Sequence, residues 1–180
     1  MNTIVVILAA GKGTRMESSI PKVLHTLKDR TLIEWVIATS TQVNPQKIIV
    51  VIGHDREKIK KKLQHYDNLE FVVQKEQKGT GHAVKMCFEN LKNFDGNVMI
   101  LSGDVPLISI DTLTNLIKIK SQRNASATIL TSTMDNADGY GRVARNSNNT
   151  LSKIVEHKDC NKDELLIKEI NAGYKGPLLV

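Results

Sequence analysis

The chain opens on an unbroken apolar stretch. Residues 3–9 form a continuous, largely β-branched run, the pattern of a strand covered on both faces rather than the alternation of a half-exposed one. Leu32, Ile33, Val36 and Ile37 then recur at helical spacing, which predicts a helix over 31–42 with one apolar face; Trp35 lies beside that face and is expected to pack into the core. Ile48–Ile52 reads as a second buried strand, closed by Gly53. A polar helix over 55–65, a short strand Phe71–Val73 and a helix over 80–92 with Ala83, Met86, Cys87 and Leu91 near one face come next. A strand Val98–Leu101 and a helix Ile110–Ile119 complete this part.

Strands that alternate with helices imply right-handed crossovers and an α/β fold, with a mixed, mainly parallel sheet and helices on both faces. Such sheets bind ligands at the carboxyl ends of their strands. The loop after the first strand, Gln74 and Asp104 all fall at that edge. Beyond residue 125 the texture changes. Ala125–Thr133, Gly141–Arg145 and Leu151–Glu156 read as strands, the last two joined by the turn-rich Asn146-Ser147-Asn148-Asn149 as a hairpin-like insertion, and Lys168–Tyr174 as a final strand.

Composition narrows the class. A chain of 180 residues suits one domain with a real core. The net charge of +6 is modest, and its visible source is Lys58, Lys60, Lys61 and Lys62, read as a solvated helix face. Steering of an anionic small substrate is the functional alternative. No aromatic residues are interleaved with the basic run, which argues against a nucleic-acid partner. Cys87 and Cys160 lack a C-x-x-C partner, so neither a zinc site nor a disulfide framework follows; two unpaired cysteines fit a reducing cytoplasm. The first apolar run is too short to span a membrane, and no basic segment precedes it. The five histidines share no metal-ligand spacing, and none is assigned to catalysis.

The chemistry concentrates after the first strand, in Leu8-Ala9-Ala10-Gly11-Lys12-Gly13-Thr14-Arg15-Met16, with Pro21-Lys22 downstream. Glycines let a backbone approach a ligand closely, and successive N–H groups form an anion-binding concavity. Arg15 and Lys22 supply positive charge. This is an arrangement for a polyphosphate. It is not the dinucleotide fingerprint, because the third glycine position is Met16, nor a P-loop, because Gly13 is followed by Thr14 rather than lysine.

That block, together with Pro21-Lys22-Val23-Leu24-His25, resembles the sugar-nucleotide pyrophosphorylases. Further blocks narrow the resemblance: Gln77-Lys78-Gly79-Thr80-Gly81-His82-Ala83, Gly103-Asp104-Val105-Pro106-Leu107, Gly139-Tyr140-Gly141-Arg142, Glu156-His157-Lys158-Asp159 and Glu169-Ile170-Asn171-Ala172-Gly173. They are similar to the N-terminal uridyltransferase half of the bifunctional bacterial uridyltransferase–acetyltransferase family. The resemblance implies a Rossmann-like nucleotidyltransferase, Mg²⁺ as cofactor, and UTP and N-acetylglucosamine 1-phosphate as substrates. It implies UDP-N-acetylglucosamine and pyrophosphate as products, in service of cell-wall and lipopolysaccharide precursor synthesis.

By matching position, Leu8, Ala10, Gly11 and Gly13 would line the nucleotide, and Gln74, Gly79 and Thr80 would read the uracil edge. Arg15 would hold the outgoing phosphates and Lys22 the α-phosphate. Asp104 would bind the metal, and Gly141, Glu156 and Asn171 the sugar. Ser102 and Ala172 depart from the family, which usually has an aromatic residue and a threonine there. The family domain also continues past Val180, with a downstream asparagine sharing the metal. Residues 1–180 therefore read as a nucleotidyltransferase domain incomplete at its C-terminus, without the acetyltransferase β-helix through which relatives form homotrimers. A nucleotidyltransferase of other base or sugar specificity, and a non-catalytic or weakly active nucleotide-binding remnant, stay open beside this reading.

Overall fold

The first apolar run becomes the middle of a sheet. In the computed structural model, described for residues 2–11, 18–171 and 178–180, Thr3–Ala9 is strand β1 and every residue in it is buried. The chain divides into two compact units, residues 1–128 with 179–180, and residues 129–178.

In the first unit β1 is followed by a small antiparallel hairpin, β2 (Thr26–Leu27) with β3 (Arg30–Thr31), and by helix α1 (Leu32–Thr41). Then come β4 (Lys47–Ile52), α2 (Arg56–Leu63) and β5 (Leu69–Val73). Helices α3 (Thr80–Lys85) and α4 (Phe88–Leu91), strand β6 (Asn97–Ser102) and helix α5 (Ile110–Gln122) complete the alternation. β1 pairs in parallel with β4 on one side and β6 on the other, and β5 extends the sheet beyond β4. Leu8 stands opposite Ser102, Ala9 opposite Ile52, and Ile52 opposite Val73, so the carboxyl ends of four strands finish level. The sheet is mixed: beyond β6, Val98 and Val180 exchange both backbone hydrogen bonds, at 2.7 and 3.0 Å, which is the antiparallel pattern.

Strand alternation sends successive side chains to opposite faces. Val5, Ile7 and Ala9 join Ile33, Val36 and Ile37 of α1, Ile59 and Leu63 of α2, and Leu113 and Leu116 of α5 in one core. Ile4, Val6 and Leu8 are also buried, and α3, with buried Ala83, packs on β1 as well.

Several expectations change. The helix expected over 80–92 is two short helices. Cys87 donates to Val84 O at 2.9 Å, an i→i−3 bond, and with ψ near 1° it leaves helical geometry and starts α4. Apolar spacing marks a helix face but carries no sign of a tightened turn. Trp35 is only half-buried: its indole N–H donates to Leu27 O at 2.9 Å and the Arg30 guanidinium lies 5.0 Å from its ring centroid, so it braces the hairpin rather than filling the core. The lysine run is not wholly a solvated face either. Lys62 Nζ reaches Glu34 Oε2 at 3.4 Å, and Glu34 is buried, accepting from the Thr31 hydroxyl and N–H. Burial alone would raise the Glu34 pKa, but these donors and the ammonium bring it below the ordinary value.

The strand expected over 125–133 is also divided. β7 (Thr128–Ile129) joins the six-stranded sheet, whereas β8 (Thr131–Thr133) belongs to a four-stranded sheet in the second unit. That sheet is completed by β9 (Arg142–Arg145), β10 (Leu151–Val155) and β11 (Glu169–Asn171), in the order β10-β9-β11-β8. The expected hairpin is present, with a register shift between Leu151 and Lys153, and a short helix α6 (Lys162–Leu165) precedes β11. The last strand, β12 (Leu178–Leu179), lies between β6 and β7 in the larger sheet.

Candidate active site

Local chain geometry sets the candidate nucleotide end, whose described residues lie in the first unit. Gly103 N–H donates to Leu8 O at 2.9 Å, and Gln74 N–H to Ile52 O at 2.8 Å, so the segments leaving β6 and β5 are still tied to the sheet as they turn away. The segment after β1 comes close to Gly53: a methyl placed there would stand 2.7 Å from Ala10 O and 2.9 Å from Gln77 Nε2. Only glycine permits this approach. Gly11 is exposed with open space about its Cα, as is Gly79, whose φ of +94° is a conformation that favours glycine. Leu8 and Ala10 are buried. A cavity of about 540 Å³ opens at the ends of β4 and β5, lined in part by Gly53, His54, Val73, Gln74, Lys75 and Gln77.

Gln74 is 3% exposed, and its amide is committed. Nε2 donates to Gly79 O at 3.1 Å and meets His82 Nδ1 at 3.0 Å. A carbonyl can only accept, so the NH₂ must face it, and Nδ1 must then accept the second proton. Of the Gln74 side-chain amide, expected to read a base edge, only the oxygen then remains for a ligand. His82 and Gln77, whose Nε2 donates to Gln74 O at 3.4 Å, hold this arrangement. Thr80 is exposed, at the start of α3.

Lys22, in the short 3-10 turn Lys22–Leu24, places its Nζ 2.7 Å from Asp104 Oδ2. Ser102 Oγ donates to Asp104 Oδ1 at 2.5 Å. The departure at position 102 thus provides a hydroxyl that orients the carboxylate. Two candidates 82 residues apart in sequence form one charged pair at the sheet edge.

The sugar candidates lie in the second unit. Arg142 stands opposite Val155 on β10 and Ile170 on β11. The neighbours of these three residues, Gly141, Glu156 and Asn171, are therefore brought to one end of the sheet. Asn171 N–H donates to Gly141 O at 3.3 Å, and a methyl on Gly141 would stand 3.9 Å from Glu156 Oε2. Gly13, Arg15 and Ala172 lie outside the described residues. Sequence reasoning passed over Gly53, Gln77 and His82 as parts of the site. The one signal for Gly53 was a glycine closing a buried strand.

Elsewhere, burial pushes the Cys87 thiol up to about 11, marking an inert packing residue. Among the described residues no group of three or more His, Cys, Asp or Glu side chains gathers into a metal cage, and no helix is long and apolar enough to cross a membrane.

Residues 5–153 match the MobA-like NTP transferase domain family. The chain is 47% identical over 169 residues to a protein of Picosynechococcus sp. named bifunctional protein GlmU, covering 94% of this chain and 38% of that protein. It is 46% identical over 173 residues to the protein of the same name from Streptococcus thermophilus, covering 96% and 37%. The chain thus spans little more than a third of the length of these relatives. Among solved structures, UDP-glucose pyrophosphorylase complexed with UDP-glucose superposes with a TM-score of 0.78 at 16% identity, covering 100% of this chain and 76% of that one. HddC from Yersinia pseudotuberculosis complexed with GMP-PN gives 0.72 at 21% identity, covering 98% and 76%. At such identities these structures speak to the fold.

Proposed function

Because this chain belongs to the MobA-like NTP transferase domain family, we propose that it transfers the uridylyl group of UTP to N-acetylglucosamine 1-phosphate, releasing UDP-N-acetylglucosamine and pyrophosphate. The observation that carries the base assignment is the commitment of both Gln74 amide protons to Gly79 O and His82 Nδ1. The remaining oxygen accepts, and uracil presents an N3–H where cytosine presents a lone pair. The similarity to proteins named GlmU supports the sugar assignment, as does the convergence of Gly141, Glu156 and Asn171.

The reaction needs no general base, since the attacking sugar phosphate is already an anion. Its barrier lies in bringing two anions together and stabilising charge on the leaving pyrophosphate. Lys22 contacts the α-phosphate and Arg15 the departing phosphates. Glu156 accepts from a sugar hydroxyl, and the Asn171 amide can donate and accept.

A divalent cation fits the donors present. Asp104 is a hard oxygen ligand at the carboxyl edge of the sheet, and Mg²⁺ typically keeps water and substrate oxygens instead of a closed protein cage. When bound, such a cation supplies neutralisation of phosphate charge.

The test is pyrophosphate release with UTP or CTP across a panel of sugar 1-phosphates. UTP with N-acetylglucosamine 1-phosphate is expected to lead, and CTP to fall at least ~10²-fold behind, because a site built for one hydrogen-bond pattern leaves buried groups unpaired with another. Equal turnover of UTP and CTP would overturn the assignment of Gln74.

A further inference from the structure

Among the described residues Arg142 is the largest fully buried side chain, 1% exposed, and no step above uses it. Its Nη1 donates to two backbone carbonyls, Ala137 O and Tyr140 O, both at 2.5 Å. Nη2 lies 3.9 Å from Asp138 Oδ1, on a carboxylate that is mostly exposed, and Nε has no acceptor among the described residues. A buried cation so thinly compensated is a costly way to hold a turn; an apolar side chain of similar volume is often no worse for stability.

The two carbonyls explain what the guanidinium holds. Residues 137–140 form a turn closed by Tyr140 N–H to Ala137 O at 3.1 Å, with Gly139 at φ +80° in its third position, the type II pattern. Tyr140 O belongs to the peptide whose N–H is that of Gly141. In a trans peptide the N–H points opposite to the C=O. Drawing Tyr140 O inward onto Arg142 therefore directs the Gly141 N–H away from the guanidinium. The Gly141 carbonyl is held independently by Asn171 N–H, and Glu156 stands beside the Gly141 Cα.

We infer that Arg142 is a positioning residue for the sugar-phosphate end of the site, fixing the aim of the Gly141 amide by holding the 137–141 turn from beneath. The inference rests on the assignment of Gly141, Glu156 and Asn171 to the sugar phosphate.

Two variants test it in the full chain. Arg142→Met removes the two hydrogen bonds at similar volume. Gly139→Ala keeps Arg142 but disfavours the turn's positive φ. Each is expected to raise KM for N-acetylglucosamine 1-phosphate about tenfold while KM for UTP stays within about twofold, and to shift the Gly141 amide resonance in ¹⁵N NMR spectra. Equal rises in both KM values, or an unmoved Gly141 amide in a folded variant, would overturn the inference. Should Arg142→Met not fold, Gly139→Ala decides by the same readouts. If the Gly141 amide shifts but the unmodified chain accepts no sugar 1-phosphate, the functional assignment fails and takes the sugar-end role with it, while the hold on the turn stands.

Discussion

Lys22 and Asp104 neutralise one another at the carboxyl edge of the larger sheet, with side chains 45% and 26% exposed. An ion pair with that much water around it contributes only ~0–1 kcal/mol. It therefore keeps the ammonium in place without opposing its transfer to a phosphate of higher charge. Lys22→Ala should leave the melting temperature essentially unchanged and lower kcat by roughly 10²–10³, the usual consequence of deleting one transition-state donor. Thermal unfolding and steady-state kinetics on one preparation check both halves. A fully active alanine variant would reduce Lys22 to a surface charge. Gly53 acts at this scale in a different way, since the carbonyl of Ala10 occupies the space any side chain there would need.

At the level of elements, both candidate ends are built by register. Four parallel strands finish level, so the segments leaving β1, β4, β5 and β6 start from one edge. In the antiparallel sheet, the pairing of Arg142 with Val155 and Ile170 does the same for Gly141, Glu156 and Asn171. That smaller sheet is braced by Arg145, which reaches Glu169 through Nε at 2.7 Å and Nη2 at 2.6 Å. Those hydrogen bonds, against the opposing effect of burial, hold the Glu169 pKa below its ordinary value. A lowered folded-state pKa stabilises above the unfolded carboxylate value near ~4.3 and stops doing so as pH falls through the folded one. Glu169→Gln should thus cost about 1 kcal/mol at pH 7, and the difference should shrink toward zero as the wild-type carboxylate protonates at acid pH. Urea unfolding of both proteins at neutral and acid pH measures this; a gap of equal size at both would remove the ion pair as its cause.

Across the whole molecule the two ends fall in different compact units: Gln74, Lys22 and Asp104 in the first, Gly141, Glu156 and Asn171 in the second. The proposed reaction then predicts a division of labour. Gln74→Ala should raise KM for UTP about tenfold and barely touch the sugar phosphate, and Glu156→Ala should do the reverse. Initial rates with each substrate varied in turn provide the comparison. Parallel effects of both variants on both substrates would instead indicate general loosening.

What the amino-acid order determined by itself was confined to single elements and single residues. Unbroken apolar runs located β1, β4 and β6, because a strand buried on both faces has no polar position to spare. Helical spacing located α1 and α5. The glycine-rich loop and the motif blocks marked the candidate residues one at a time. Only the tertiary structure decided which of these meet. The Lys22–Asp104 pair closes across 82 residues, the commitment of the Gln74 amide depends on how the following loop folds back, and the grip of Arg142 depends on burial that no periodicity announces. The divided strand near residue 130 and the bracing role of Trp35 were illegible for the same reason. Periodicity records which face of an element is covered, whereas the covering partner lies elsewhere in the chain and is selected only when the elements pack.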